Sequence, residues 1–130
     1  MTAGFLLDTH ALLWWLAEPD RLSAAAHAAI AEPTARVVVS AASGWEIATK
    51  VRLGKLPAAV ELLRDLPELL ANQGFELLPI QLAHGLRAGS YPMAHRDPFD
   101  RLLAAQAELA NLTLVSLDPA LQPFPCQLLW

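Results

Sequence analysis

Residues 36–41 read RVVVSA, a short run in which three consecutive valines are followed by small residues. β-Branched residues favour strands, and a strand that is apolar at successive positions is typical of a sheet buried on both faces. Similar apolar runs occur at 4–8 (GFLLD), 75–80 (FELLPI) and 112–117 (LTLVSL), and the stretches between them have the leucine and alanine patterns of helices. Strands that alternate with helices predict an α/β fold in which helices cover both faces of a parallel sheet.

Capping residues mark the ends of the predicted helices. Asp8 or Thr9 is suited to begin the first helix, and the third helix is expected over 43–54 with Ser43 as its N-cap. Pro67 predicts a kink or break in the leucine-rich helical stretch that follows, because proline disrupts helix hydrogen bonding. The pattern therefore gives several short helices between the strands.

Length and composition restrict the class of protein. A chain of 130 residues predicts one domain, 1–130, and its 55% hydrophobic and 17% charged residues exclude disorder. With only Cys126 no intrachain disulfide can form, and the sequence has neither a signal peptide nor an apolar run long enough to cross a bilayer. We therefore expect a cytoplasmic protein that does not associate with membranes.

Acidic residues are concentrated where the strands are predicted to end. Asp8 and Asp118 follow the first and fourth strands, Glu46 lies in the first turn after the second strand, and Asp97 and Asp100 begin the helix before the fourth strand. Since ligands of an open parallel sheet bind outside the carboxyl ends of its strands, these acids are expected at one edge.

Two explanations of these acids remain open when each is taken alone. Asp97 precedes Pro98 and is a natural N-cap, Asp118 can open a turn, and Ser43 with Glu46 matches a capping box. Capping does not explain why several acids should converge, because like charges about 4 Å apart repel by roughly 1 kcal/mol even in water. A cluster of carboxylates without cysteine or paired histidine ligands favours Mg²⁺, or alternatively Mn²⁺.

Four motifs in order resemble the PIN-domain family, and more narrowly the VapC-type ribonuclease toxins of type II toxin–antitoxin pairs. They are FLLDTHALLWWL, SAASGWEIATKVRLGKL, HRDPFDRLLAAQA and LVSLDPAL, which together extend over nearly the whole chain. The resemblance implies a three-layer sandwich around a central parallel sheet of about five strands. It also implies a Mg²⁺-dependent endoribonuclease that cleaves RNA phosphodiester bonds, a cognate antitoxin partner and a homodimer.

The resemblance also implies which residues carry the activity. The acidic quartet that would bind metal and catalyse cleavage falls on Asp8, Glu46, Asp100 and Asp118, with Asp97 and Ser116 in supporting roles. In that mechanism the metal activates a water for attack on the phosphodiester and stabilises the leaving oxygen.

The net charge of −4 weighs against an ordinary nucleic-acid binder, unless the acids are neutralised in one metal site. The basic side chains that remain could then lie around that metal site and contact RNA phosphates. Candidate RNA contacts are Arg96, Arg101, Lys50 and His10.

Three other functions are compatible with parts of the pattern. A phosphotransfer enzyme that uses Asp8 as nucleophile requires a second Asp two residues later, where His10 stands. A phosphoacceptor module requires an acidic end to a middle strand and a lysine at the end of a late strand, and FELLPI and LTLVSL supply neither. A catalytically silent PIN-like binding module is disfavoured by the complete set of acids.

Overall fold

A five-stranded parallel sheet forms the centre of the computed structural model, which describes residues 3–130. The first two residues of the predicted 1–130 domain lie outside the described residues. The spatial order is β3-β2-β1-β4-β5, and every neighbouring pair is parallel. The strands are β1 (Gly4–Leu7), β2 (Arg36–Ser40), β3 (Glu76–Leu78), β4 (Thr113–Val115) and β5 (Gln127–Leu129). The parallel sheet predicted from the apolar runs is confirmed.

Within residues 3–130, seven α-helices and three short 3₁₀ turns connect the strands. The helices are α1 (Thr9–Ala17), α2 (Ala24–Ala31), α3 (Ala41–Arg52), α4 (Val60–Arg64), α5 (Leu66–Gln73), α6 (Leu82–Ser90) and α7 (Pro98–Ala110). The 3₁₀ turns are Pro19–Arg21, Pro57–Ala59 and Pro119–Leu121. Among residues 3–130, none of the helices combines the length and the apolarity that crossing a bilayer requires.

Two apolar cores lie on the two faces of the sheet. Because side chains alternate along a strand, Leu6 and Leu7 of β1 point into different cores. Leu6 packs with residues of α6, α7 and the segment before β5, while Leu7 packs with α1, α2 and α5. Both leucines are fully buried. This arrangement is the three-layer sandwich that the sequence predicts.

Most helix ends lie where the sequence places them, with one exception. Asp8, Ser23 and Asp97 are N-caps of α1, α2 and α7, and each side chain accepts a backbone N–H. The prediction that Ser43 caps the third helix is wrong. α3 begins two residues earlier because the Ser40 hydroxyl accepts the amide of Ala42 at 2.9 Å. The capping box with Glu46 is therefore absent, and the Ser43 side chain is buried inside the protein.

The region between β2 and β3 contains the break that Pro67 predicts. α4 ends at Arg64 and α5 begins at Leu66, so that the proline lies in the first turn of α5, where its missing N–H leaves no bond unmade. Gly74 then ends α5 with a φ of 72°, a conformation that glycine adopts without strain.

Candidate active site

The sheet brings the predicted acids to one edge. Asp8 follows β1 directly, and Asp118 lies three residues after the end of β4. Glu46 lies on α3, which begins directly after β2. Asp100 lies in the first turn of α7, the helix that precedes β4. A helix that returns antiparallel to the strands starts at their carboxyl ends, so this turn faces the same edge.

Asp8 is a buried carboxyl group that caps α1. It accepts the backbone amide of Ala11 at 2.7 Å, and the Ser116 hydroxyl lies near enough to favour its ionised form. Burial raises the pKa of Asp8 above its ordinary value, and the nearby negative charge of Glu46 acts in the same direction. The hydrogen bonds and His10 oppose this increase without cancelling it. The ionised form of Asp8 is therefore unfavourable unless a positive charge approaches it.

Glu46 is held by partners on two elements. Its Oε1 accepts the Thr9 hydroxyl at 2.5 Å, and its Oε2 lies 2.6 Å from the Lys50 ammonium one turn along α3. The Thr9 hydroxyl also lies 3.1 Å from that of Ser43. Thr9, Ser43 and Glu46 are all buried, so this chain of polar groups connects α1 to α3 beneath the edge of the sheet.

Asp100 forms the third acidic position. Its Oδ2 lies 2.9 Å from Nε2 of His95, in the segment before α7. Burial raises the pKa of Asp100 to about 6, and the charges of Asp97 and Glu46 contribute to the increase while His95 opposes it. Asp97 has a different role, since its Oδ1 accepts the amides of Phe99 and Asp100 as the N-cap of α7.

Asp118 lies at the margin of the group. It is partly exposed, and its carboxylate accepts the amide of Ala120 at 2.9 Å as the cap of a 3₁₀ turn. Its amide donates to the Ser116 hydroxyl at 3.1 Å, and Ser116 in turn lies near Asp8. Among the described residues, the acidic charges that raise the pKa of Asp8 or Asp100 are Glu46 and Asp97, not Asp118.

Glu46 therefore lies near enough to both Asp8 and Asp100 for its charge to raise the pKa of each. All are hard oxygen donors of the type that Mg²⁺ and Mn²⁺ prefer, and burial penalises the charge on two of them. Within residues 3–130, however, no three histidine, cysteine or acidic side chains are placed to hold one metal ion together. The donor chemistry fits a hard divalent cation, although the carboxylates do not form a ready three-ligand cage.

The predicted basic contacts differ in their availability. His10 and Arg96 are exposed, whereas Lys50 is paired with Glu46. Arg101 is half-buried, and its guanidinium donates to four backbone carbonyls, so that four of its five N–H groups are already used within the protein. We therefore remove Arg101 from the candidate RNA contacts.

Two polar residues of the site were not predicted as such from the sequence. Thr9 was considered only as a helix cap, and Ser43 only as the cap of α3. The sequence offers one indication of their role: Thr9 directly follows Asp8, and Ser43 lies three residues before Glu46. Neither spacing reveals that α1 and α3 pack closely enough for these hydroxyls to meet.

A largely apolar groove of about 630 Å³ opens beside the acids, between α1 and the Pro57–Ala59 turn with α4. Asp8, His10 and Asp118 lie at its polar end. Trp14 forms part of one wall, its ring lying 5.6 Å from that of Trp130 with the guanidinium of Arg21 over it. The apolar lining is Leu13, Trp14, Ala17, Leu56, Ala58, Ala59, Leu62, Leu117 and Pro119.

Comparisons with known proteins agree with this architecture. A family model described as PIN domain matches residues 5–124. Ribonuclease VapC22 of Mycobacterium tuberculosis is 34% identical over 119 residues, which cover 90% of this chain and 88% of the relative.

Solved structures show the same fold at low sequence identity. The VapBC2 structure from Rickettsia felis, bound to a DNA fragment from its promoter, superposes with a TM-score of 0.70 at 15% identity, covering 97% of each chain. VapBC-1 from nontypeable Haemophilus influenzae gives a TM-score of 0.60 at 18% identity, covering 97% of this chain and 96% of the other.

Proposed function

The chain belongs to the PIN-domain family, and on that premise we propose that it is a divalent-metal-dependent endoribonuclease acting as the toxin of a toxin–antitoxin pair. A ribonuclease relative at 34% identity over nearly the full chain supports this activity. The observation in the structure that carries the proposal is the position of Glu46, whose charge acts on both Asp8 and Asp100 at the carboxyl edge of the sheet.

The chemistry of RNA cleavage explains why such an edge is useful. A phosphodiester is anionic, and its hydrolysis requires an activated water together with stabilisation of the oxygen that leaves. A bound Mg²⁺ or Mn²⁺ supplies both effects. Of the carboxylates at this edge, Asp8, Glu46, Asp100 and Asp118 are those that would hold it, while Asp97 caps α7.

The other polar residues hold these carboxylates in place. The Thr9 hydroxyl and the Lys50 ammonium hold the two oxygens of Glu46, and the Ala11 amide donates to Asp8. His95 contacts Asp100 at 2.9 Å. Each acid therefore keeps a defined orientation in the absence of substrate, which reduces the reorganisation needed for reaction.

RNA is proposed to approach from the exposed side of this edge. Arg96 and His10 are exposed near Asp97 and Asp8, and Lys50 retains a partly exposed ammonium beside Glu46. These groups would contact phosphates and thereby position the strand without reading its sequence. Because the proposed substrate is RNA, we propose that the protein acts in the cytoplasm.

The groove beside Trp14 is the proposed site of the antitoxin. Its walls are apolar, and it leads to Asp8 and Asp118, so a partner bound there would cover the approach to the acids. An amphipathic antitoxin segment that buries its apolar face in such a groove would follow a common mode of peptide recognition. An antitoxin bound in the groove would then inhibit cleavage because it blocks the access of RNA to the acids.

A homodimer is proposed through α6. This helix exposes Leu82 (79%) and Leu86 (66%) on the same side. Gly85 and Gly89 lie on the helix as well, and a Cβ added at either would meet nothing within 4 Å. Glycine within a helix costs about 1 kcal/mol relative to alanine, and packing inside one copy gives no reason for it here. Close approach by the same face of a second copy, about a two-fold axis, would use both glycines and leucines.

The activity is tested by incubating the purified protein with structured RNAs in Mg²⁺, in Mn²⁺ and in EDTA. We expect cleavage with either ion, no cleavage in EDTA, and a loss of about 10²-fold or more in Asp8→Asn, which removes a candidate ligand. Asp20→Asn, an exposed acid on the Pro19–Arg21 turn, is the matched control and should cleave at the wild-type rate. Cleavage that persists in EDTA, or in Asp8→Asn, would contradict the proposal.

A further inference from the structure

The segment 91–97 between α6 and α7 has no regular secondary structure, yet it carries two residues of the site. His95 contacts Asp100, and Asp97 caps α7. Among the residues described, the backbone hydrogen bonds outside helices and strands reach this segment only at its last residue, where the Arg101 amide donates to the Asp97 carbonyl at 3.1 Å. Its shape must therefore be maintained by side chains.

Arg101 supplies those contacts from the first turns of α7. Its Nε donates to the Ala88 carbonyl at 2.8 Å, and its Nη2 to the Tyr91 carbonyl at 2.6 Å. Its Nη1 donates to the carbonyls of Met93 and His95 at 3.0 and 2.7 Å. Four of the five N–H groups of one guanidinium thus hold the backbone from the end of α6 to the site.

The contact with Ala88 also completes the end of α6. The last carbonyls of a helix have no partner within the helix, and α6 ends at Ser90 without a capping backbone bond from Tyr91. The Ser90 hydroxyl donates to the Arg87 carbonyl, and Arg101 donates to the next one. A cation at the carboxyl end of a helix is also favoured by the helix dipole.

We propose that Arg101 is a positioning residue that fixes the 91–97 segment and thereby holds His95 against Asp100. Its effect on cleavage rests on the proposed function, whereas its effect on the segment does not. The planar fork of the guanidinium is needed because its donors reach separate carbonyls at once. A lysine has the same charge at a single point and cannot replace this set of bonds.

The test compares Arg101→Lys and Arg101→Gln with a matched control, Arg36→Gln. Arg36 also forms two hydrogen bonds through its guanidinium, in this case from β2 to Glu76 of β3, away from the 91–97 segment. Circular dichroism and thermal unfolding show whether each variant folds. NMR then gives the backbone order parameters of 91–97 and the ring signal of Nε2 of His95, both without RNA or metal.

We expect order parameters near 0.85 in the wild type and in Arg36→Gln. In Arg101→Lys we expect values below about 0.6, together with the His95 signal of an unbonded ring. With RNA and Mg²⁺, kcat should fall about 10²-fold in Arg101→Lys while KM changes less, because the reacting groups are misplaced. In a His95→Gln background most of this decrease should disappear, as expected for residues that act together.

An ordered segment and a wild-type kcat in Arg101→Lys would overturn the inference, since charge alone would then suffice. An ordered segment with a raised KM would also overturn it, by making Arg101 an RNA contact. If Arg101→Gln does not fold, the lysine variant decides the result. A wild-type protein that cleaves no RNA would refute the proposed function and leave the NMR comparison valid.

Discussion

Replacement of Asp100 by asparagine should stabilise the metal-free protein at neutral and alkaline pH while it removes activity. Burial raises the pKa of Asp100 from 3.8 to about 6, so the folded protein disfavours the ionised form by about two pKa units. At 1.36 kcal/mol per unit this corresponds to about 3 kcal/mol at pH 8. Asparagine carries no charge, and its side-chain oxygen can still accept a hydrogen bond from His95 at the position of Oδ2.

The sign of the pH dependence follows from the direction of the shift. A carboxyl whose pKa is raised on folding binds its proton more tightly in the folded state, so stability is lost as the pH rises. This contribution is fully present below 3.8 and is lost as the pH rises through about 6. The advantage of Asp100→Asn should therefore be about 3 kcal/mol at pH 8, about half of that at pH 5, and small near pH 4.

Urea unfolding in EDTA at these three pH values measures the difference. Asp97→Asn is the matched control, because asparagine is an equally good N-cap and should change stability by less than about 1 kcal/mol. Added Mg²⁺ should stabilise the wild type and not Asp100→Asn, since a ligand that binds only the folded state shifts unfolding. An Asp100→Asn variant no more stable than the wild type at pH 8 would refute the electrostatic reasoning.

Three further results are expected. Thr9→Val should lower the free energy of unfolding of the metal-free protein by about 1–3 kcal/mol and cleavage by about 10-fold, because it leaves the buried Oε1 of Glu46 unpaired. Its control is Thr34→Val, which removes an exposed hydrogen bond to Glu32 and should change that free energy by less than about 0.5 kcal/mol. Lys50→Met should destabilise the protein in EDTA by about 1–2 kcal/mol in urea unfolding, and saturating Mg²⁺ should narrow that difference. Leu86→Glu should give a monomer in light scattering, whereas Leu77→Glu, equally exposed but on β3, should leave a dimer.

Local sequence rules account for most of the fold. The apolar runs predict the sheet because buried parallel strands need no alternation, and Asp8 and Asp97 cap their helices as their positions before the helices indicate. The start of α3 was misplaced because Ser40 and Ser43 are both suitable caps. Only packing against Thr9 decides that Ser43 is buried. β5, of three residues, is too short to predict from its own sequence.

In the candidate site, too, some features could be predicted from the sequence and others depend on packing. The edge on which Asp8, Glu46 and Asp100 lie follows from the order of strands and helices, and so it could be predicted. The partners of these acids could not, because the contact between Thr9 and Glu46 joins residues 37 positions apart and depends on the packing of α1 against α3. Arg101 was misassigned for a related reason, since an arginine at the start of a helix gives no sign that the carbonyls of a preceding segment surround it.

The central claim, that these carboxylates share one divalent cation, is tested most directly by anomalous scattering from crystals grown with Mn²⁺. The account predicts a manganese peak coordinated by oxygens of Asp8 and Asp100, with Glu46 or Asp118 completing the site, and no such peak in Asp8→Asn. A wild-type crystal saturated with Mn²⁺ that shows no peak among these residues, from a preparation that cleaves RNA, would contradict it.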